Sequence, residues 1–425
     1  MGLIKQGILS QESIDFQSDI FFKQLVSVLK QASSKEIKIS VAENELGKMI
    51  MDRFGLDLEV KLNTNYAPCI EIPDMDRNHP LLQQYLRNFM RNADSNKMLK
   101  NAKEGVIQGS VNIRTAKVTG VFSKICKTMH LPLATMLGVY KMTEEEIAAA
   151  CLHEIGHPFT YFEYVSRTAS TNQVLAAATR AMEGSDNAAE RKAVFKAISK
   201  DYDLTDDECE RLSSTTSTES VTTIVLIAAV RQSRSELGIN VYDCNSWEQL
   251  ADQFASRMGA GRYLVTGLSK LYQGSVSARS WPAYFAMEGV KLFVFGLSIG
   301  LVVTPAFSLG AYMLFLGWIW CVIDGPFDAT YDRPGARLRR IRNDLVERLK
   351  ITSKTEHPEV VASIHRDLDL MEEQLKNMSD KLPFYYAINK IFNSGFRTRM
   401  KAEQIQQELE AMVSNDLFVQ ATKLA

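Results

Sequence analysis

The chain has 425 residues, and a domain takes roughly 100–200, so two or three structural units are expected with length to spare for a buried core. Apolar residues make up 46% and charged residues 23%, which excludes a disordered polyelectrolyte and a collagen-like chain. The 49 Lys and Arg against 50 Asp and Glu leave a net charge of -1, so no global field recruits nucleic acid, and no nucleic-acid partner is expected.

The N-terminus has no charged region running into an apolar stretch, so no secretory signal peptide is expected. The 6 cysteines form no C-x-x-C pair, which argues against a zinc ribbon or a disulfide scaffold and for a reducing compartment. Residues 11–32 place Ile14, Phe16, Ile20, Phe21, Leu25, Val28 and Leu29 at helical spacing and predict an amphipathic helix. Leu56 to Leu62 alternates apolar and polar side chains and predicts a half-buried strand, with further short strands over 69–72 and 109–121. Helical patterns dominate from Met142 onward, so the fold class is α+β and predominantly helical.

Met142-Thr143-Glu144-Glu145-Glu146 opens the informative segment. Thr143 as N-cap with Glu146 three residues later makes a capping box, and three acids suit the positive end of the helix dipole. The helix then carries His153-Glu154-Ile155-Gly156-His157. Residues i and i+4 share a helix face, so His153 and His157 can bind one Zn²⁺ through imidazole nitrogens while Glu154 stands beside it as a base. Pro158 pushes His157 away from the α region and is expected to end or kink the helix.

A catalytic zinc keeps three protein ligands, and the best source of the third is the segment Ser246 to Ala255. Ser246 with Gln249 caps a second helix, placing Glu248 in its first turn and Asp252 one turn later on the same face. Glu248 then reaches the metal, and Asp252 accepts the outer N–H of a ligand histidine. Asp243 and Glu163 are the substitutes for Glu248. His79, His130 and His365 are isolated and read as surface or packed residues.

From Leu292 to Ile323 the chain carries no charge, whereas a bilayer span needs only ~20 apolar residues. Trp281 and Tyr284 precede this stretch, Trp318 and Trp320 lie near its end, and Arg333, Arg337, Arg339, Arg340 and Arg342 follow, the pattern of an aromatic interface with a basic flank. Pro305 sits near its midpoint, which leaves one long kinked membrane span, a re-entrant hairpin and a hairpin buried in protein as readings of 292–323; if the arginines that follow return to the metal cleft, a hairpin with both ends on the cytoplasmic side is predicted. No phosphate-binding glycine motif is present, so nucleotide-driven chemistry is not expected.

Two blocks resemble the HtpX and CAAX-prenyl-protease type of zinc metallopeptidase, a gluzincin family: the acidic helix start running into His153-Glu154-Ile155-Gly156-His157, and Glu248-Gln249-Leu250-Ala251-Asp252 followed by Gly259 and the Gly267 to Leu271 stretch. The likeness covers about residues 105–275. It implies a zincin-like core over 105–280, between a mixed region 1–104 and a hydrophobic hairpin 281–330, with a helical region 331–425. It also implies a zinc endopeptidase with a polypeptide substrate, with Glu248 as third ligand, Glu154 as catalytic base and Asp252 behind a histidine. The family's downstream arginine element, which stabilises the oxyanion, has as its nearest candidates here Tyr331-Asp332-Arg333-Pro334 with Arg337, Arg339 or Arg340, or else His357-Pro358, and neither matches it residue by residue. Transmembrane helices of the family between the two blocks are absent. A more distant likeness is to metallopeptidase-like proteins of large tailed phages, which would place the chain in a virion. The rival reading is a non-enzymatic, membrane-associated or virion structural protein that keeps the fold.

Overall fold

A computed structural model describes residues 20–72, 109–112, 116–183, 188–202, 204–215, 217–237, 241–242, 245–272, 281–302, 307–323, 334–351 and 358–377. The predicted residues 11–19, His79, Asp243, Pro305 and Arg333 lie outside them. The chain divides into two compact units, Met1–Val139 with Ile147–Gly259 and Tyr140–Glu146 with Ala260–Ala425.

The first unit begins with helix α1 (Ile20–Ser33), which buries Phe21, Leu25, Val28 and Leu29 at the predicted spacing. Helix α2 (Ile39–Phe54) buries Ala42, Leu46, Ile50 and Phe54, one residue per turn. It stops at Gly55, whose φ of 68° is left-handed and whose N–H donates to the Met51 carbonyl at 2.8 Å. The Val118 carbonyl occupies the space where a Cβ would stand on Gly55, so the turn needs glycine twice over.

Strand β1 (Leu58–Lys61) buries Leu58 and Val60 and exposes Glu59, as the alternation predicts. Strands β2 (Cys69–Glu71), β3 (Gly109–Asn112) and β4 (Lys117–Gly120) fall within the other predicted stretches, β3 and β4 pairing antiparallel. The strand that sequence patterning misses is β5 (Lys127–His130), the centre of a three-stranded sheet ordered β1-β5-β2, parallel to β1 and antiparallel to β2. Lys127 disguises it. That side chain is 1% exposed, its ammonium donating to the Ile125 carbonyl at 2.5 Å and lying 4.8 Å from the centre of the Phe162 ring. His130 is a packed residue, with Nδ1 3.1 Å from Thr64 Oγ1 and its ring against Tyr66.

After a short helix α3 (Leu133–Gly138), the long helix α4 spans Glu144–Glu183. The capping box forms as predicted, Glu146 N–H donating to Thr143 Oγ1 at 3.3 Å and Thr143 N–H to Glu146 Oε2 at 2.8 Å. Of the two outcomes expected at Pro158, an end to the helix is overturned, because α4 continues through it. An internal proline costs about 3 kcal/mol, which burial of Ile155, Phe159 and Phe162 on this stretch outweighs at roughly 1.5–3 kcal/mol each.

The far half of α4 packs with α5 (Ala188–Asp201), α6 (Asp206–Ser214) and α7 (Thr218–Leu237) around Val174, Ala178, Val194, Ile198, Leu212 and Val225. Arg231 of α7 grips Glu208 of α6 with two hydrogen bonds of 2.9 Å and holds that carboxyl down at about 2. The unit closes with α8 (Asn245–Ala255), which starts one residue before the predicted cap Ser246.

In the second unit, α9 (Gly261–Leu271), α12 (Pro334–Ile351) and α13 (Pro358–Asn377) pack through Leu264, Leu268, Leu338, Ile341, Leu345 and Leu368. Lys270 ties α9 to the start of α4, donating to Glu146 at 2.7 Å and to the Lys141 carbonyl at 2.9 Å. Helices α10 (Trp281–Val302) and α11 (Phe307–Ile323) pack against one another, as the predicted hairpin requires. Among the described residues no helix is long and apolar enough to cross a membrane. Two arginines expected along a basic flank, Arg337 and Arg342, are instead buried in α12, Arg342 bonded to Glu372 at 3.1 Å.

Burial lowers the Lys127 pKa from 10.5 to about 8. Below pH 8 the lysine is charged in both states and the folded chain bears the cost of a buried ammonium. Between 8 and 10.5 only the unfolded chain holds the proton, so stability rises with pH, by up to ~3 kcal/mol at 1.36 kcal/mol per unit. Lys127→Met should abolish this rise. Urea unfolding at pH 7 and pH 10 checks it: wild type should gain more stability than the variant between the two.

Candidate metal centre

The site is built from two helices of the first unit whose contributing residues lie far apart in sequence. One turn of α4 places the His153 and His157 rings 4.8 Å apart, edge to face. Candidate ligand atoms of His153, Glu154 and His157 all lie within 4.8 Å of one another. Helix α8 supplies the rest. Its Leu250, Ala251, Phe254 and Ala255 are buried, which turns Glu248 and Asp252 toward α4 on the neighbouring face.

Glu248 bridges the two histidines, with Oε2 3.4 Å from His153 Nε2 and Oε1 3.5 Å from His157 Nε2. Asp252 takes the other side of His153, its Oδ1 2.9 Å from Nδ1. That contact fixes the tautomer: Nδ1 carries the proton toward Asp252, and the Nε2 lone pair faces Glu248. His153, Glu154 and Asp252 are buried, whereas His157 and Glu248 keep some exposure, so the site opens on their side.

Two imidazole lone pairs and a carboxylate converging on one point repel unless a cation or proton lies among them. Two ligands of one tetrahedral zinc, bound at about 2.0–2.1 Å, stand roughly 3.4 Å apart. The contacts of 3.4 and 3.5 Å from Glu248 to the two Nε2 atoms fall in that range, and His153, Glu154 and His157 form a cluster that could hold a metal ion.

Two devices bring the helices this close. The first is Gly156, where an added Cβ would lie 2.7 Å from Ala251 Cα and 3.2 Å from the Ala251 and Phe254 Cβ atoms. The second is an aromatic cluster one turn further on, with Phe159 of α4 stacked on Phe254 of α8 at 5.1 Å and Phe54 of α2 edge-on to both. At the N-terminus of α8, Trp247 packs on Tyr161 and Tyr164 of α4 and donates its indole N–H to the Val241 carbonyl at 2.9 Å.

Sequence reasoning missed these supports. Gly156 is readable in retrospect as a small residue between two ligands, but Ala251, its counterpart, carries no local signal. Cys69, at the head of β2, was missed as well. Burial raises its thiol pKa and the nearby Glu154 carboxylate adds to that; the same two causes push up the Cys151 thiol beneath the site. Glu154 thus lies within electrostatic reach of both β2 and the α4 core.

Of the other candidates, Glu163 is engaged by Arg167 at 2.7 Å. Arg337 and Arg340 belong to α12 of the second unit, where the Arg337 guanidinium donates to Tyr272 Oη at 3.4 Å. Comparison with models of known families, with curated proteins and with solved structures gives no match to this chain.

Gly156→Val should force α4 and α8 apart, weakening zinc binding at least tenfold with every ligand intact and costing ~1–3 kcal/mol of stability through overpacking. Competition with a chromogenic chelator reads the affinity, and thermal unfolding reads the stability.

Proposed function

We propose that this chain is a zinc-dependent endopeptidase of the gluzincin kind, in which His153, His157 and Glu248 hold the metal, Asp252 orients His153 and Glu154 is the general base. The observation that carries this reading is the span of Glu248 across both histidine Nε2 atoms at 3.4 and 3.5 Å, with Asp252 on the remaining ring nitrogen of His153. Zinc held by these residues would supply Lewis-acid polarisation of a scissile carbonyl and lower the pKa of a bound water to about 7.

Each residue then has a task set by its place. His153, held by Asp252, cannot rotate away from the ligand position. Glu154, next in sequence to His153 and within 4.8 Å of the histidine ligand atoms, accepts the proton of the attacking water and returns it to the departing amine. A structural zinc site has no use for that base and closes its fourth position with Cys or His. Strand β2 is an edge of its sheet and begins at Cys69, in reach of the Glu154 charge. An extended polypeptide pairing along this edge would run past the base, so backbone hydrogen bonds would dominate its recognition.

Glu154→Gln should keep stoichiometric zinc and lose proteolysis, because the carboxamide cannot take a proton. Glu248→Ala should lose zinc as His153→Ala does, while Asp252→Ala should weaken affinity ~10–100-fold. Activity should climb with pH along an acidic limb, as a mechanism with a carboxylate base requires. Metal analysis of each purified variant, beside digestion of an unfolded polypeptide, checks all three; full zinc in Glu248→Ala would reject the ligand set. Zinc in wild type and in Glu154→Gln with no cleavage by either would favour the non-enzymatic reading.

A further inference from the structure

We infer that the α10–α11 hairpin is a membrane-inserting element that enters one leaflet of a lipid bilayer, tip first. The grounds are the way the pair segregates its side chains, its length, and the extent of its apolar exposure.

The segregation is inside out. In α10 the buried positions hold Glu288, Lys291 and Ser298, spaced along one stripe, and the two charges neutralise each other at 2.8 Å. Ser298 returns its hydroxyl to the Val294 carbonyl at 2.6 Å. The buried position described in α11 is a glycine, Gly310. Large apolar side chains take the outside instead: Phe285, Phe293 and Ile299 of α10, and Phe307, Tyr312 and Phe315 of α11, all more than half exposed. Burial of polar and small residues with apolar ones outward is the arrangement that lipid stabilises and water does not.

The extent of exposure identifies the occupant. At 100° per residue, the exposed positions of each helix cover about half of its circumference, and the opposite face of α10 is the polar stripe. The apolar surface therefore wraps the pair rather than marking one stripe. A protein groove covers a stripe; an occupant that meets apolar surface all round is a solvent.

The length sets the depth. Beyond Lys291, α10 has the eleven uncharged residues Leu292 to Val302, about 16 Å of helix, against ~15 Å for half of a ~30 Å hydrocarbon core. Among the described residues no helix is long and apolar enough to cross, and the mutual packing of α10 and α11 suits a hairpin that goes in and comes back.

The test uses the full-length chain and vesicles of phosphatidylcholine alone, so that charge attraction is not available. Wild type should float with the vesicles through a density gradient, unchanged in 1 M NaCl. Phe293→Glu with Phe315→Glu, at positions 69% and 57% exposed, should stay at the bottom with an unaltered circular dichroism spectrum. In a cysteine-depleted background, a fluorophore on Ile299→Cys should be quenched several-fold more by lipid brominated at mid-chain than one on Phe285→Cys. Wild type that fails to float overturns the inference, as does equal quenching at the two sites, which would mean adsorption to the surface. Self-association in solution that the double substitution abolishes, without flotation, would assign the surface to a second copy of the chain.

Discussion

The distance between α4 and α8 is the constraint on which the metal centre depends. The α-helix alone places His153 and His157 on one face, one turn apart, but Glu248 and Asp252 reach them only if a second helix comes to near backbone contact. Gly156 permits that approach and Phe159 on Phe254 enforces it, one turn beyond the ligands on both helices. The ligand geometry is therefore as rigid as the aromatic cluster beneath it. That cluster takes in Phe54 and Phe21 of α2 and α1, so the N-terminal helices belong to the site's foundation although they contribute no ligand.

Rigidity of this kind also answers an electrostatic problem. Glu154, Asp252 and His153 are buried, and a buried ionised group costs several kcal/mol unless it is paired. Asp252 is compensated by the His153 N–H, while the converging Glu248 and histidine nitrogens are best compensated by a divalent cation. Under the proposed reading, metal affinity and folding of the first unit would be linked, since Glu248 would become a ligand when the ion is bound. A loosely held α8 could relieve the repulsion by turning away, which the Trp247 contacts with Tyr161 and Tyr164 resist.

What the sequence makes legible follows from how local each cause is. The capping box at Thr143, the alternation through Leu58 and Val60 and the pairing of His153 with His157 each depend on residues within one turn or strand, and each appears in the structure. Pro158 and Lys127 mislead for the opposite reason. Local rules break a helix at proline and place lysine in solvent, yet the tertiary surroundings of both override them, through the buried Phe159 and Phe162 and through the carbonyls that receive the ammonium. Glu248 was readable as an acid at the start of a helix; its arrival at the histidines was a matter of Ala251 and Phe254, which look like any core residues.

The same alphabet is sorted in two opposite ways within this chain. In the cluster built on Val174, Val194 and Leu212, apolar side chains turn inward, while Arg231 and Glu208 make their pair outside it. In α10 and α11 the charges pair inside and phenylalanines stand outside. A helix that buries Glu288 and Lys291 while exposing Phe285 and Phe293 forgoes the hydrophobic term that normally offsets the cost of desolvating an ion pair. Such a sequence is consistent with itself only if its surroundings are apolar. Of the basic residues that follow, Arg337 and Arg342 do not supply a substitute anchor, because they spend their guanidinium groups on Tyr272 and Glu372. Entry of the hairpin into lipid, as inferred above, would rest on apolar contact and so would be insensitive to salt, unlike attachment through a basic surface.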